Sequence, residues 1–138
     1  MADDFDDLLL AIRRVFPTSR FTPLGESEVA ALLAEYPGAP DHYLAFLRRV
    51  GAGCLGDGHF MIYDGLCEPG DFFDPDTAAQ LDGILFFGDN FSGWMVGFDT
   101  RTDWRIVGVE SSIPEPDPEQ AQTIRDFIAQ RIVTSESA

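Results

Sequence analysis

Residues 81–110 read LDGILFFGDNFSGWMVGFDTRTDWRIVGVE, and the architecture of the chain is decided there. Positions 84–87, Ile-Leu-Phe-Phe, are a short apolar run. Positions 93–98 alternate, with Trp94, Val96 and Phe98 on one face and Met95 and Gly97 on the other. The polar turn Asp99-Thr100-Arg101-Thr102-Asp103 leads into a third run over 104–109. A strand repeats its side chains every two residues, and Gly, Asn and Asp take turn conformations readily. Short apolar or alternating runs bounded by those residues therefore predict an antiparallel meander.

The flanks supply helices to cover that sheet. Phe5, Leu8, Leu9, Ile12 and Phe16 recur at helical spacing and predict a helix over 5–16. Asp3, Asp4, Asp6 and Asp7 crowd its first turn, Arg13 and Arg14 its last, each complementing the helix dipole. Pro17 stops it, and 18–25 reads as a connector. A second helix over 27–36 carries Val29, Leu32, Leu33 and Tyr36, and Pro37-Gly38 breaks it. A third opens at Pro40 with Tyr43, Phe46, Leu47 and Val50 in one stripe, and Gly51-Ala52-Gly53 ends it. Residues 59–63 read as a strand, and 64–82 as a long acidic loop with a helical turn near 77–81. Residues 111–118 read as an extended linker. Asp117, Pro118 and Gln120 then resemble a helix start for a stripe of Ala121, Ile124, Phe127, Ile128 and Ile132. The expected fold is α+β: a mostly antiparallel sheet of about four to six strands covered by helices. The expected layout is one domain, with a helix and connector over 1–21, a core over 22–132 and a frayed tail over 133–138.

At 138 residues with 45% hydrophobic content the chain can bury a core. Its net charge is -15, and all nine basic residues are arginine. Such a surface repels nucleic acid and anionic membranes and attracts a basic partner. No apolar run approaches the roughly 18–20 residues of a membrane helix. The acidic start Met1-Ala2-Asp3-Asp4 is the reverse of a secretory leader, so a cytoplasmic location is expected. Two cysteines, Cys54 and Cys67, make no disulfide framework.

Several constellations fail on context. Gly51-x-Gly53-x-x-Gly56 matches the dinucleotide fingerprint by letter, but it leaves a helix and opens a strand, the reverse of what a pyrophosphate needs. Cys54, His59, Cys67 and His42 lack the paired spacing of a zinc site. Asp71, Asp74 and Asp76 do not follow the alternating oxygen ligands of a calcium loop. Asp57, Asp89 and Asp99 stand at turns or strand ends, where aspartate commonly serves local hydrogen bonds, so paired-carboxylate hydrolysis is the weakest reading. Neither a cofactor nor a metal is expected. The acidic loop carries Phe72 and Phe73. Aromatics among acids suit a protein-binding surface for a basic partner, or else tuck inward and pin the loop.

The pattern Pro40-x-x-Tyr43-x-x-Phe46-Leu47-x-x-x-Gly51-x-Gly53 resembles the second-helix signature of the SUKH superfamily. So does Phe87-Gly88-Asp89-Asn90-x-x-Gly93-x-x-x-Gly97-Phe98-Asp99, followed by a strand with Trp104 and a helix from about Glu119. This superfamily includes fungal Smi/Knr-type cell-wall assembly regulators and bacterial immunity proteins. The resemblance spans about residues 22–132; where the family often has Asn-Gly-Gly, this chain has Gly51-Ala52-Gly53. It implies a Smi/Knr-like α+β fold and a non-catalytic binding role: a cytoplasmic immunity protein that neutralises a cognate basic toxin, a nuclease for instance, by direct contact. The alternative is an intracellular scaffold or regulatory module, as in the fungal members. The expected partner-binding residues are Asp57, Glu68, Asp71, Phe72, Phe73, Asp74, Asp76 and Asp89, and edge strands with exposed aromatics would serve a homodimer equally well.

Overall fold

The computed structural model describes residues 5–137. The elements run α1 (Asp6–Val15), β1 (Arg20–Thr22), α2 (Glu26–Glu35), α3 (Asp41–Arg49), β2 (Ala52–Leu55), β3 (Phe60–Cys67), a single 3-10 turn (Pro69–Asp71), α4 (Pro75–Gln80), β4 (Ile84–Asp89), β5 (Trp94–Asp99), β6 (Arg105–Glu110), β7 (Ile113–Pro118) and α5 (Ile124–Ser137). The strands form one seven-stranded sheet in sequence order, each antiparallel to its neighbours. The fold is α+β. Asp3 and Asp4, read as part of the first helical turn, lie outside the described residues.

The sheet has seven strands where four to six were expected, and the additions share one cause. β1 is only three residues long, β2 is four residues with Gly53 inside it, and β7 carries Pro114, Pro116 and Pro118, so none gives a run that marks a strand by its letters. Backbone pairing makes them strands instead. At Gly53, with φ of 149°, a Cβ would sit 1.8 Å from the carbonyl oxygen of Arg20, so only glycine lets β1 approach β2. Asp117 and Pro118, read as a helix start, continue the ladder opposite Gly108 and Val107. The N–H of Glu119 donates to the Ile106 carbonyl at 2.9 Å, so Pro118 faces away from β6, where a missing N–H costs nothing. Helix α5 therefore opens six residues later. Thr123 Oγ1 accepts the N–H of Asp126 at 3.1 Å, and His42 Nδ1, on α3, accepts the N–H of Ile124 at 3.1 Å.

One sheet face carries α1, α2, α3 and α5. Phe60, Ile62, Phe87, Val96, Phe98 and Ile106 from the strands meet Leu8, Ile12, Val29, Phe46, Leu47, Phe127 and Ile128 from the helices in one cluster. As the alternation predicts, Trp94 packs on this cluster and Met95 on the other face. The opposite face has a smaller core of Leu81, Ile84, Phe86, Met95, Val107 and Val109, with Tyr63, Cys67 and Phe73 against it. The run at 84–87 is apolar throughout because β4 is buried on both sides. What covers the second face is the stretch read as an acidic loop: the 3-10 turn and α4 fold over it, and α4 reaches β7. No helix among the described residues is long and apolar enough to cross a membrane.

Candidate functional site

The cover segment is built from short local caps. Asp71 Oδ2 accepts the N–H of Glu68 at 3.0 Å and closes the 3-10 turn. Asp74 Oδ1 accepts the N–H of Thr77 at 2.8 Å and caps α4, with Pro75 at the first helical position. Those bonds from Thr77 hold the Asp74 carboxyl below its ordinary pKa. Asp76 lies in the first turn of α4. Two of the acids read as partner contacts are thus also structural caps.

The two phenylalanines divide. Phe73 turns inward, its ring 6.3 Å from that of Phe86 in the second core. Phe72 stays 45% exposed. Its ring stacks on Tyr63 at 6.0 Å and meets Phe86 edge-on at 5.9 Å. Tyr63 in turn donates its hydroxyl to Asp89 Oδ2 at 2.5 Å, while Asp89 Oδ1 accepts the N–H of Phe91 at 2.8 Å. Burial, then Asp89, pushes the Tyr63 phenol well above its ordinary pKa. Met61 pairs directly with Asp89 across the ladder and is exposed. Phe72, Tyr63, Asp89 and Met61 therefore form one continuous strip on the second face.

Of the residues expected at the site, the fold brings Phe72 and Asp89 together through Tyr63 and places Glu68, Asp71, Asp74 and Asp76 on the adjoining cover segment. Asp57 stands in the β2–β3 hairpin turn, at the sheet end where β4 finishes in Asp89. Tyr63 and Met61 escaped the sequence reading. Their signal was there: 61 and 63 alternate with the buried Phe60 and Ile62.

Asp89 and Asp99, two of the three considered for a carboxylate pair, stand apart. Asp89 and Asp99 end opposite ends of the β4–β5 ladder, opposite Met95 and Ile84 respectively. Asp99 caps its own turn, accepting the N–H of Arg101 and the hydroxyl of Thr102, both at 3.1 Å. Among the described residues no three His, Cys, Asp or Glu side chains gather where a metal ion could sit, and Cys54 and Cys67 are both free.

A second feature adjoins the cover segment. A cleft of about 570 Å³ opens between the α2–α3 loop, the Glu68–Gly70 stretch, α4 and the β5–β6 turn. Tyr36 and Trp104 form aromatic wall, and Glu35, Glu68 and Asp82 bring carboxylates. Trp104 enters through two successive left-handed residues, Asp103 at φ 52° and Trp104 at φ 58°. Its indole rests on Phe98 at 5.8 Å and crosses Gly38, where a Cβ would lie 3.0 Å from Nε1. Burial, then the charges of Glu35, Glu68 and Asp71, raise the Tyr36 phenol above its ordinary pKa. Asp82 is ion-paired with Arg101 at 2.5 Å.

No family model, no curated protein and no solved structure matches the chain.

Proposed function

We propose that this chain is a non-catalytic binding protein that captures a basic protein partner on the second face of its sheet. In line with the SUKH resemblance, we propose that the partner is a cognate toxin, which the chain neutralises in the cytoplasm by covering the toxin's working surface. One observation carries the reading. Asp64, Glu68, Asp71, Asp74, Asp76 and Asp82 are all exposed along β3 and the cover segment, beside the exposed ring of Phe72. Only Asp82 of these six has an ion-pair partner among the described residues.

An apolar anchor rimmed by unpaired charge of one sign is the layout of an interface that is steered electrostatically and held by a few packed side chains. A nuclease presents a basic surface to its own substrate, so it is the partner this charge fits best. The test is co-purification with the C-terminal domain of the protein encoded immediately upstream. The reading expects a complex that weakens as salt rises from about 0.05 to 0.5 M, because exposed charges are screened over that range. A neighbour that forms no complex would instead favour the scaffold reading, in which the same face takes a resident cellular protein.

A further inference from the structure

We infer that the cleft walled by Tyr36 and Trp104 receives the side chain of an arginine projecting from the bound partner. This deepens the proposed function and rests on its premise that the partner is a basic protein. Concavity, aromatic walls and charge agree on that occupant. The cleft is far larger than one guanidinium, so a side chain can enter with the backbone that carries it. Aromatic faces attract a cation through the ring quadrupole, and arginine adds planar stacking that lysine lacks.

Glu35 and Glu68, on the rim, carry no ion pair among the described residues and offer acceptors of the geometry a guanidinium forks onto. At the far rim the chain already uses this chemistry on itself. The Arg101 guanidinium bonds Asp82 and lies against Gly83, where a Cβ would meet its Nε at 2.9 Å. Among the described residues no cation is paired with Glu35 or Glu68 in this way. An anionic ligand would meet carboxylates on both rims. Glu68 also joins the cleft to the turn that leads into Phe72, so a partner seated on Phe72 has the cleft within reach.

The experiment titrates the full chain with the peptide acetyl-Gly-Arg-Gly-amide, followed by backbone and indole NMR signals. The control is the same peptide with citrulline, which keeps the shape and loses the charge. We expect saturable shifts at the Trp104 indole N–H and at the Gly38, Gly70 and Gly83 amides, with a Kd on the order of 1–10 mM. The citrulline peptide should give none that saturate, and the double variant Glu35→Gln/Glu68→Gln should weaken binding by about fivefold or more. Equal binding of both peptides, shifts spread evenly over the acidic surface, or no effect of the double variant would overturn the inference. A chain that seats the peptide but captures no basic partner counts against the function alone. A chain that captures the partner but not the peptide counts against the cleft alone.

Discussion

The Tyr63 hydroxyl donates to Asp89 Oδ2 at 2.5 Å, tying the middle of β3 to the last residue of β4. The bond does two things. It holds the carboxylate in a set position beside the exposed Met61, and it keeps the Tyr63 ring flat beneath Phe72. A residue that sequence reading passed over is thus the link between two that it singled out. Replacing Tyr63 by Phe keeps the ring and removes the bond. Hydrogen bonds to charged groups contribute about 1.5–3 kcal/mol, and partial exposure brings this one to about 1 kcal/mol. Urea unfolding of the Tyr63→Phe variant should show that loss with an unchanged slope.

The adjacent phenylalanines should separate stability from binding. Phe73 packs on Phe86 within the second core, so Phe73→Ala should cost about 2 kcal/mol or more. Phe72 is 45% exposed, and Phe72→Ala should cost less, about 1 kcal/mol. Partner affinity should respond in the opposite order, falling at least about tenfold for Phe72→Ala. Paired unfolding and binding measurements on the two variants check both halves.

His42 makes stability depend on pH. Its Nδ1 accepts the N–H of Ile124, which requires the unprotonated nitrogen. Burial lowers its pKa from the ordinary 6.5, against the smaller pull of Asp126 and Asp41 upward. As pH falls, the unfolded chain takes the proton first. The contribution is therefore complete above about 6.5 and is lost as pH drops through the folded value. His42→Asn, with an amide oxygen in place of Nδ1, should keep the cap and flatten the decline between about pH 7 and 5.5. His59, also depressed by burial and by Arg131, remains in both proteins and cancels from the comparison.

Arg131 fastens α5 to the sheet. Its guanidinium carbon lies 4.6 Å from the Trp94 ring centroid and 4.8 Å from that of Phe127, and it faces Glu119 at 4.0 Å. A partly desolvated cation over two rings contributes about 1–2 kcal/mol. Arg131→Ala should lower the stability by about 2 kcal/mol, because the aliphatic stem's packing goes as well. Arg131→Lys should restore less than half, since an ammonium cannot stack. Thermal unfolding of the three proteins decides it.

How much the sequence disclosed depended on where each feature is encoded. β4, β5 and β6 were legible because alternation and turn residues sit side by side in 81–110. The α5 start was misread because Asp117-Pro118 with a nearby Gln has the letters of a cap, while the register with β6 comes from 107 and 108. The acids of 64–82 were legible as a group because they cluster in one stretch, but the division of Phe72 outward and Phe73 inward was not, since both readings fit the letters. The cleft was not, for it needs residues 36, 68 and 104 brought together by three turns. The structure also alters how the acids should be tested. Reversing the charge of Asp71, Asp74 and Asp76 would disturb folding as well as charge, because Asp71 and Asp74 are caps. Asparagine keeps the cap and removes the charge.

The decisive measurement is growth of a sensitive host producing the C-terminal domain of the protein encoded upstream. Three arms are needed: no second protein, this chain, and its Asp71→Asn/Asp74→Asn/Asp76→Asn/Phe72→Ala variant, the last two matched for folded protein. The proposed function predicts rescue by the chain and little or none by the variant. Rescue by both would move the interface off this face, and a toxic neighbour that kills in all three arms would contradict the account.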